Sequence, residues 1–195
     1  MKTKFKHILV ILCLSMISCE GNLEPELFDQ ITPENFLTNE DDVKTAVTGV
    51  YAEFRGISEW GRYKTSWGSV MTLQEVPTDL WAANWFYKAH TDFMWKATDY
   101  FVCEIFEFFV PAITKATALI ARIQDAPVSD DIKNRYIAEL RVVRALWMYD
   151  LFDLYGPVPA ITDPEKILNP TQDFTVTRPS REEYITFVET ELKEV

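Results

Sequence analysis

Glycine, histidine and cysteine are scarce in this 195-residue chain, which holds six, two and three of them. The six glycines are scattered and form neither a GxGxxG nor a Walker A segment, so no Gly-rich turn cradles phosphate and nucleotide chemistry is disfavoured. Basic residues are outnumbered, 19 against 30 acidic ones, for a net charge of −11. A nucleic-acid binder neutralises phosphates with clustered Lys and Arg, and this balance argues against one. Long apolar runs are missing too: residues 8–17 fall short of the roughly 20 needed to cross a bilayer. What is plentiful is hydrophobic matter, 48% of the chain with 14% aromatic. That composition suits a packed fold rather than disorder, and the length fits one ordinary domain.

The N-terminus sets the compartment. Residues 1–19 read MKTKFKHILVILCLSMISC, with Lys2, Lys4 and Lys6 ahead of a short apolar core and small Ser18 just before Cys19. This is a signal peptide, set apart from fold reasoning. The cysteine after a small residue resembles the lipobox of bacterial lipoproteins, in which cleavage precedes the cysteine and the cysteine carries lipid; the alternative is an ordinary secretory signal. Stable anchoring takes more than one acyl chain, a condition that a multiply acylated Cys19 meets. The expected organisation is a signal over residues 1–18, a lipidated tether over 19–37 and a helical domain over 38–195.

Cleavage changes the arithmetic. The mature chain has 177 residues and a net charge of −14, with His90 as its last histidine and Cys103 as its last free thiol. No intrachain disulfide is then available. A His-rich metal site is ruled out, and any His-dependent triad must use His90.

Periodicity predicts helices. The first spans about 40–54, capped by Thr38 or Asn39, with Val43, Ala46, Val47, Val50, Tyr51 and Phe54 on one face. Residues 57–100 hold five of the six tryptophans and only weak periodicity; a short helix over 66–75 is expected there, then a long loop. Helix returns over 99–125, with Pro111 either kinking it or opening a second helix. Its buried stripe is Ile113, Ala116, Thr117, Ile120 and Ile123. The clearest helix runs from a Ser129 cap to Gly156-Pro157. It carries Ile132, Tyr136, Leu140, Val143, Trp147 and Leu154 on its main face, while Ile137, Met148, Tyr149 and Phe152 suggest contacts on a second side. A proline-rich loop leads to a last helix opened by the capping box Ser180–Glu183. Its expected stripe is Tyr184, Val188, Leu192 and Val195. That stripe runs to the last residue without a C-cap, which reads as a truncated chain.

Three segments together resemble the RagB/SusD family of Bacteroidetes outer-membrane lipoproteins. The strongest is residues 138–159, where Glu139, Arg144, Ala145, Gly156, Val158 and Pro159 match the family's long helix and exit loop, while Leu140 and Val142 depart from it. Residues 32–36 with 41–51 resemble its opening helix, and Arg178-Pro179-Ser180 leading to Leu192 resembles a later one. The resemblance implies an all-α chain of tetratricopeptide-like hairpins with long aromatic-rich loops, incomplete at its C-terminus because family members are longer. It implies a surface lipoprotein anchored at the outer membrane that binds an oligosaccharide or peptide and passes it to a SusC-like TonB-dependent transporter. No catalysis, cofactor or metal is implied.

Sugar capture needs flat aromatic faces and polar groups for hydroxyls, and Trp and Tyr join an apolar plane to a polar edge. Residues 78–85 offer both on an expected loop. In the family, the loop after the segment resembling residues 74–79 supplies binding aromatics. Trp81, Asn84 and Trp85 are the expected ligand contacts, with Tyr87 as a further candidate; the alternative for each ring is core packing. Asp79 is expected as a turn acceptor, Arg141 and Arg144 as partners of carboxylates on neighbouring helices, His90 as an exposed loop residue and Cys103 as a small buried hydrophobe. No motif singles out a carboxylate pair for hydrolysis, nor an EF-hand loop for calcium. A second class of function stays open: a lipid-anchored helical scaffold that binds only proteins, with the aromatics as interface hot spots.

Overall fold

The chain folds, in a computed structural model that describes residues 36–54, 70–81, 87–168 and 175–195, entirely from helices and connecting segments. No strand occurs among the described residues. The helices are α1 (Glu40–Ala52), α2 (Val70–Glu75), α3 (Lys88–Thr91), α4 (Tyr100–Asp125), α5 (Asp130–Tyr155), α6 (Pro164–Leu168) and α7 (Arg181–Lys193). A compact unit spans Leu37–Val195. Cys19 and the leader lie outside the described residues.

The centre is the hairpin of α4 and α5. Each has 26 residues, about 39 Å at the α-helical rise. A short connection, residues 126–129, returns α5 alongside α4, as in an αα-hairpin. The expected stripe of α4 is buried in full: Ile113, Ala116, Thr117, Ile120 and Ile123 all face inward. From α5, Tyr136, Leu140, Val143, Trp147 and Leu151 meet it. The Trp147 ring is fully enclosed and packs against Phe54 and Phe109 at centroid distances of 4.9 and 6.2 Å. Helix α1 lies against both members of the hairpin, α7 against α5 and α6 against α4.

Helix α4 runs unbroken through Pro111, so no second helix begins there. The proline sits on the exposed side, where water serves the carbonyl that its missing N–H leaves free. Asn39 caps α1, its side chain accepting from the Asp42 N–H at 3.0 Å. Ser129 occupies the cap position of α5, but its hydroxyl makes no capping bond. Gly156 ends that helix at φ +72°, a left-handed conformation that glycine adopts without a Cβ penalty. The residues expected as loop around Pro164 form α6, with proline in the first turn, where its absent N–H is not needed. Likewise α3 interrupts the expected loop after Pro77.

Two expectations about apolar faces are corrected. Leu192 on α7 and Val195 beyond its end are exposed, and the buried positions of α7 are Tyr184 and Glu191. The face turns because α5 presents Arg141 and Arg144, which demand a carboxylate opposite them. Tyr149 on α5 is exposed as well, whereas Met148 is buried. The capping box of α7 forms as expected, with Glu183 N–H donating to Ser180 Oγ and Ser180 N–H donating to Glu183 Oε2.

Candidate functional site

An aromatic platform occupies the segment between α2 and α4, and its geometry starts with a strained turn. Helix α3 closes with the Phe93 N–H donating to the His90 carbonyl at 3.2 Å and the Met94 N–H donating to the Ala89 carbonyl at 2.7 Å. This is a Schellman cap. Its left-handed position, which glycine usually fills, is held by Phe93 at φ +56°. An L-residue there costs roughly 1–2 kcal/mol, and the result is that Phe93 and Met94 are held out into solvent. Backbone strain of this kind concentrates at functional sites.

The chain then turns back. Asp99 Oδ2 accepts from the Lys96 N–H at 2.7 Å, and the Cys103 thiol donates to the Ala97 carbonyl at 3.1 Å. Cys103 is only half-buried, anchoring this turn rather than filling the core. The turn places Trp95 between two rings: 5.5 Å from Phe93 on one side and stacked at 5.9 Å on His90 on the other. Phe93, Trp95, Tyr100 and, from the segment after α2, Leu80 and Trp81 all expose large apolar area.

Behind the platform, His90 is buried, 5% exposed, which corrects the expected exposed loop position. Its ring meets Phe101 edge-on at 5.6 Å, and neither nitrogen has a hydrogen-bond partner among the described residues. Burial lowers its pKa from the ordinary value, against a weaker upward pull from Asp99. The imidazole is therefore neutral at pH 7. A partly open cavity of about 100 Å³ adjoins it, with Leu73, Pro77, Val102 and Leu154 as aliphatic walls. Trp95 and Tyr155 also line it among the described residues. The Tyr155 hydroxyl is already engaged, donating to the Val102 carbonyl at 2.6 Å.

The expected contacts fall as follows. Trp81 is 38% exposed, and it lies four residues from Pro77, at most about 14 Å of chain from the cavity wall. Asn84 and Trp85 lie outside the described residues. Tyr87 is 7% exposed and packs with Val76 and Phe101, its ring 5.3 Å from the latter, the core-packing alternative for that ring. Asp79 is exposed; the local turn is closed instead by Thr78, whose hydroxyl donates to the Glu75 carbonyl at 2.6 Å. Sequence reasoning counted Trp95 only among the tryptophans of residues 57–100 and missed the Schellman cap, since no glycine marks it.

Arg144 and Arg141 do pair with carboxylates of a neighbouring helix. Arg144 Nε donates to Glu191 Oε2 at 2.7 Å, and a second guanidinium nitrogen donates to the same oxygen. Its remaining arm donates to Thr117 Oγ1 at 2.8 Å. Arg141 binds Glu191 Oε1 at 3.0 Å and Glu194 Oε2 at 2.8 Å. These are joints between helices and leave both arginines committed to the scaffold. No group of three His, Cys, Asp or Glu residues arranged for a metal occurs among the described residues. No described helix is long and apolar enough to cross a membrane.

Comparison with known proteins places this architecture. No family profile matches the chain. The chain is similar to two SusD-like proteins of Formosa agariphila. It is 25% identical to SusD-like protein P38 over 203 residues, covering 98% of this chain and 37% of the relative. It is 24% identical to SusD-like protein P25 over 175 residues, covering 84% of this chain and 32% of the relative. A crystal structure superposes on 80% of the chain and 29% of its own, with a TM-score of 0.57 at 19% identity, a likeness of fold. The class is thus an all-α chain similar to SusD-like proteins, spanning about a third of the length of the curated relatives it matches.

Proposed function

We propose that the chain is part of a lipid-anchored, cell-surface binding protein that captures a glycan or peptide nutrient non-covalently and passes it to a SusC-like TonB-dependent transporter in the outer membrane. It binds rather than catalyses. The observation that carries the reading is the exposure of the Trp81, Phe93 and Trp95 rings, Phe93 being held out by the strained cap of α3 and Trp95 packing beside it. Flat aromatic faces in solvent stack on sugar C–H faces or peptide side chains, and their polar edges serve hydroxyls. The similarity to SusD-like proteins supports it. Asn84 and Trp85 belong to the same proposed contact set as Trp81, and Cys19 is the proposed lipid attachment.

A titration of intrinsic tryptophan fluorescence with a panel of polysaccharides and peptides tests this. A saturable change with one ligand class, lost in Trp81→Ala or Trp95→Ala while the helical circular dichroism is kept, is expected. Binding unaffected by both substitutions would overturn the assignment of the platform.

One observation favours a second reading. Val142, Leu146 and Tyr149 form an exposed apolar stripe at helical spacing along α5. A scaffold that binds only protein partners would use such a stripe; loss of a co-purifying protein in Leu146→Glu, with ligand titrations silent throughout, would select it.

A further inference from the structure

Between Tyr87 and Tyr100 the chain carries one buried side chain, His90. Residues 88, 89 and 92–98 are exposed. Helix α3 has four residues, too few to hold a helical turn without a tertiary anchor. The flanks are fixed: Tyr87 packs into the cluster with Val76 and Phe101, and α4 starts at Tyr100. The segment between them rests on the imidazole and, at its far end, on the Cys103 thiol bond to the Ala97 carbonyl.

That imidazole supports the platform. The His90 carbonyl accepts from the Phe93 N–H to close the strained cap, and the ring stacks on Trp95 with the two planes 17° apart. Lifting His90 off Phe101 takes the support from Phe93 and Trp95 together.

The anchor works in one charge state. Both nitrogens are shut off from water and lack partners. A neutral imidazole leaves one donor and one acceptor unmatched there; an imidazolium would bury a full charge and two donors. Trp95 offers a cation its ring face, but the N–H groups lie in the imidazole plane and stay unmatched. A proton reaches them when the segment lifts, and the charged ring does not reseat until it loses that proton.

The neighbouring ionisable groups are engaged elsewhere. Lys88 and Asp92 of α3 pair at 2.6 Å. Glu104 of α4 accepts from the Tyr100 hydroxyl, Tyr155 of α5 donates to the Val102 carbonyl, and Asp153 accepts from Gln74 of α2. Asp99, which also accepts from the Lys96 N–H, favours the charged imidazole, but burial outweighs it and the His90 pKa falls below its ordinary value. A base with a lowered folded-state pKa contributes stability that is full above about 6.5 and is lost as pH falls from there.

We propose that His90 is a proton-operated latch: acid undocks residues 88–99 and disperses the Phe93–Trp95 pair, and return to neutral pH seats them again. The latch stands whether or not the platform binds a nutrient; where it does, acid releases the ligand.

Hydrogen–deuterium exchange of the full chain from about pH 7.5 to 5.0, above the ordinary carboxylate range, tests this after correction for the intrinsic pH dependence of amide exchange. The opening constant of the Asp92, Phe93 and Met94 amides, which close α3, is expected to rise reversibly by about 3- to 30-fold; the upper figure is the full linkage for an ordinary pKa of 6.5. Amides of α4 and α5 should stay better protected throughout. Asp150 titrates in the same range with the opposite sign, and His90→Phe, which keeps a flat ring on Trp95 and Phe101, separates the two: the rise should vanish in that variant. Should the variant fail to fold, NMR titration of the imidazole in the otherwise unaltered chain, assigned with His7→Gln, decides. A rise below about 3-fold, the same rise in His90→Phe, exchange of residues 88–99 only together with α4 and α5, or a His90 pKa at or above about 6.5 would each overturn the latch.

Discussion

Removing Glu191 should cost this chain far more than removing any exposed carboxylate. Arg144 and Glu191 are each 6% exposed at the side chain. Arg144 spends its guanidinium on Glu191 Oε2 and on Thr117 Oγ1; that hydroxyl in turn donates between the Ile113 and Ile161 carbonyls, at 2.9 and 3.0 Å. Burial depresses the Arg144 pKa, and Glu191 offsets part of that depression. Glu191→Leu leaves a buried guanidinium with Thr117 as its one remaining polar contact among those described, and orphaning one member of a buried pair costs roughly 3–5 kcal/mol. Arg141 softens the blow at its own site, since it keeps Glu194. Arg144→Met strands the carboxylate instead, but Arg141 still reaches Glu191 Oε1, so its cost should sit at the lower end of that range. The double variant removes both charges and replaces them with apolar groups of similar length. It should recover most of the loss, because a buried pair exchanged for hydrophobes is often near neutral. Urea unfolding followed by circular dichroism measures all three, and the double-mutant cycle should return a coupling of at least about 2 kcal/mol. A coupling below about 0.5 kcal/mol, or a double variant as unstable as the sum of the singles, would refute the account of α7 as held to α5 by this joint.

Other outcomes follow from the same geometry. Phe93→Gly relieves the left-handed strain of the α3 cap and should stabilise the fold by about 1 kcal/mol, while weakening any ligand that stacks on the platform; thermal melts and the fluorescence titration read the two effects separately. Asp150 has its pKa raised from 3.8 to about 6 by burial, with Asp153 adding to the shift. The folded state therefore holds the proton more tightly than the unfolded one, and stability should fall as pH rises from about 4 through 6. Asp150→Asn should flatten that slope and raise stability at pH 7 by no more than about 3 kcal/mol; an unchanged pH profile would count against the shift.

The scaffold was legible in the sequence wherever burial follows helical periodicity. The stripe of α4 and the main face of α5 are set by apolar side chains at three- and four-residue spacing; the structure buries the first in full and, of the second, Tyr136, Leu140, Val143 and Trp147, leaving Ile132 and Leu154 near the helix ends partly exposed. Caps written in short polar motifs were legible for the same local reason: Asn39, and Ser180 with Glu183, satisfy backbone groups within three residues. The failures share a cause as well. A rule that apolar residues face inward put Leu192 and Val195 on the buried side of α7, because Glu191 reads as a surface residue until Arg144 stands opposite it. That pairing joins positions 47 residues apart, beyond any local pattern. His90 was placed outside by the same rule, and the α3 cap was invisible because a phenylalanine stands where glycine would have announced it.

The residues that carry the resemblance to SusD-like proteins turn out to be structural joints. Glu139 accepts from the Tyr51 hydroxyl and ties α1 to α5. Arg144 bridges α5 to α7 and, through Thr117, to α4. Gly156 ends α5, Val158 is wholly buried behind it, and Arg178 donates to the Pro157 carbonyl at 2.8 Å, closing the entry to α7 onto the exit of α5. None of these side chains belongs to the aromatic platform. Such positions answer to the geometry of the scaffold rather than to what is bound. The rings proposed to face the ligand, Phe93, Trp95 and Trp81, sit on segments whose backbone is closed by turns and a strained cap. A motif built from joints therefore recognises the scaffold and stays silent on the ligand. Under the proposed reading, ligand identity is carried by the rings at the surface.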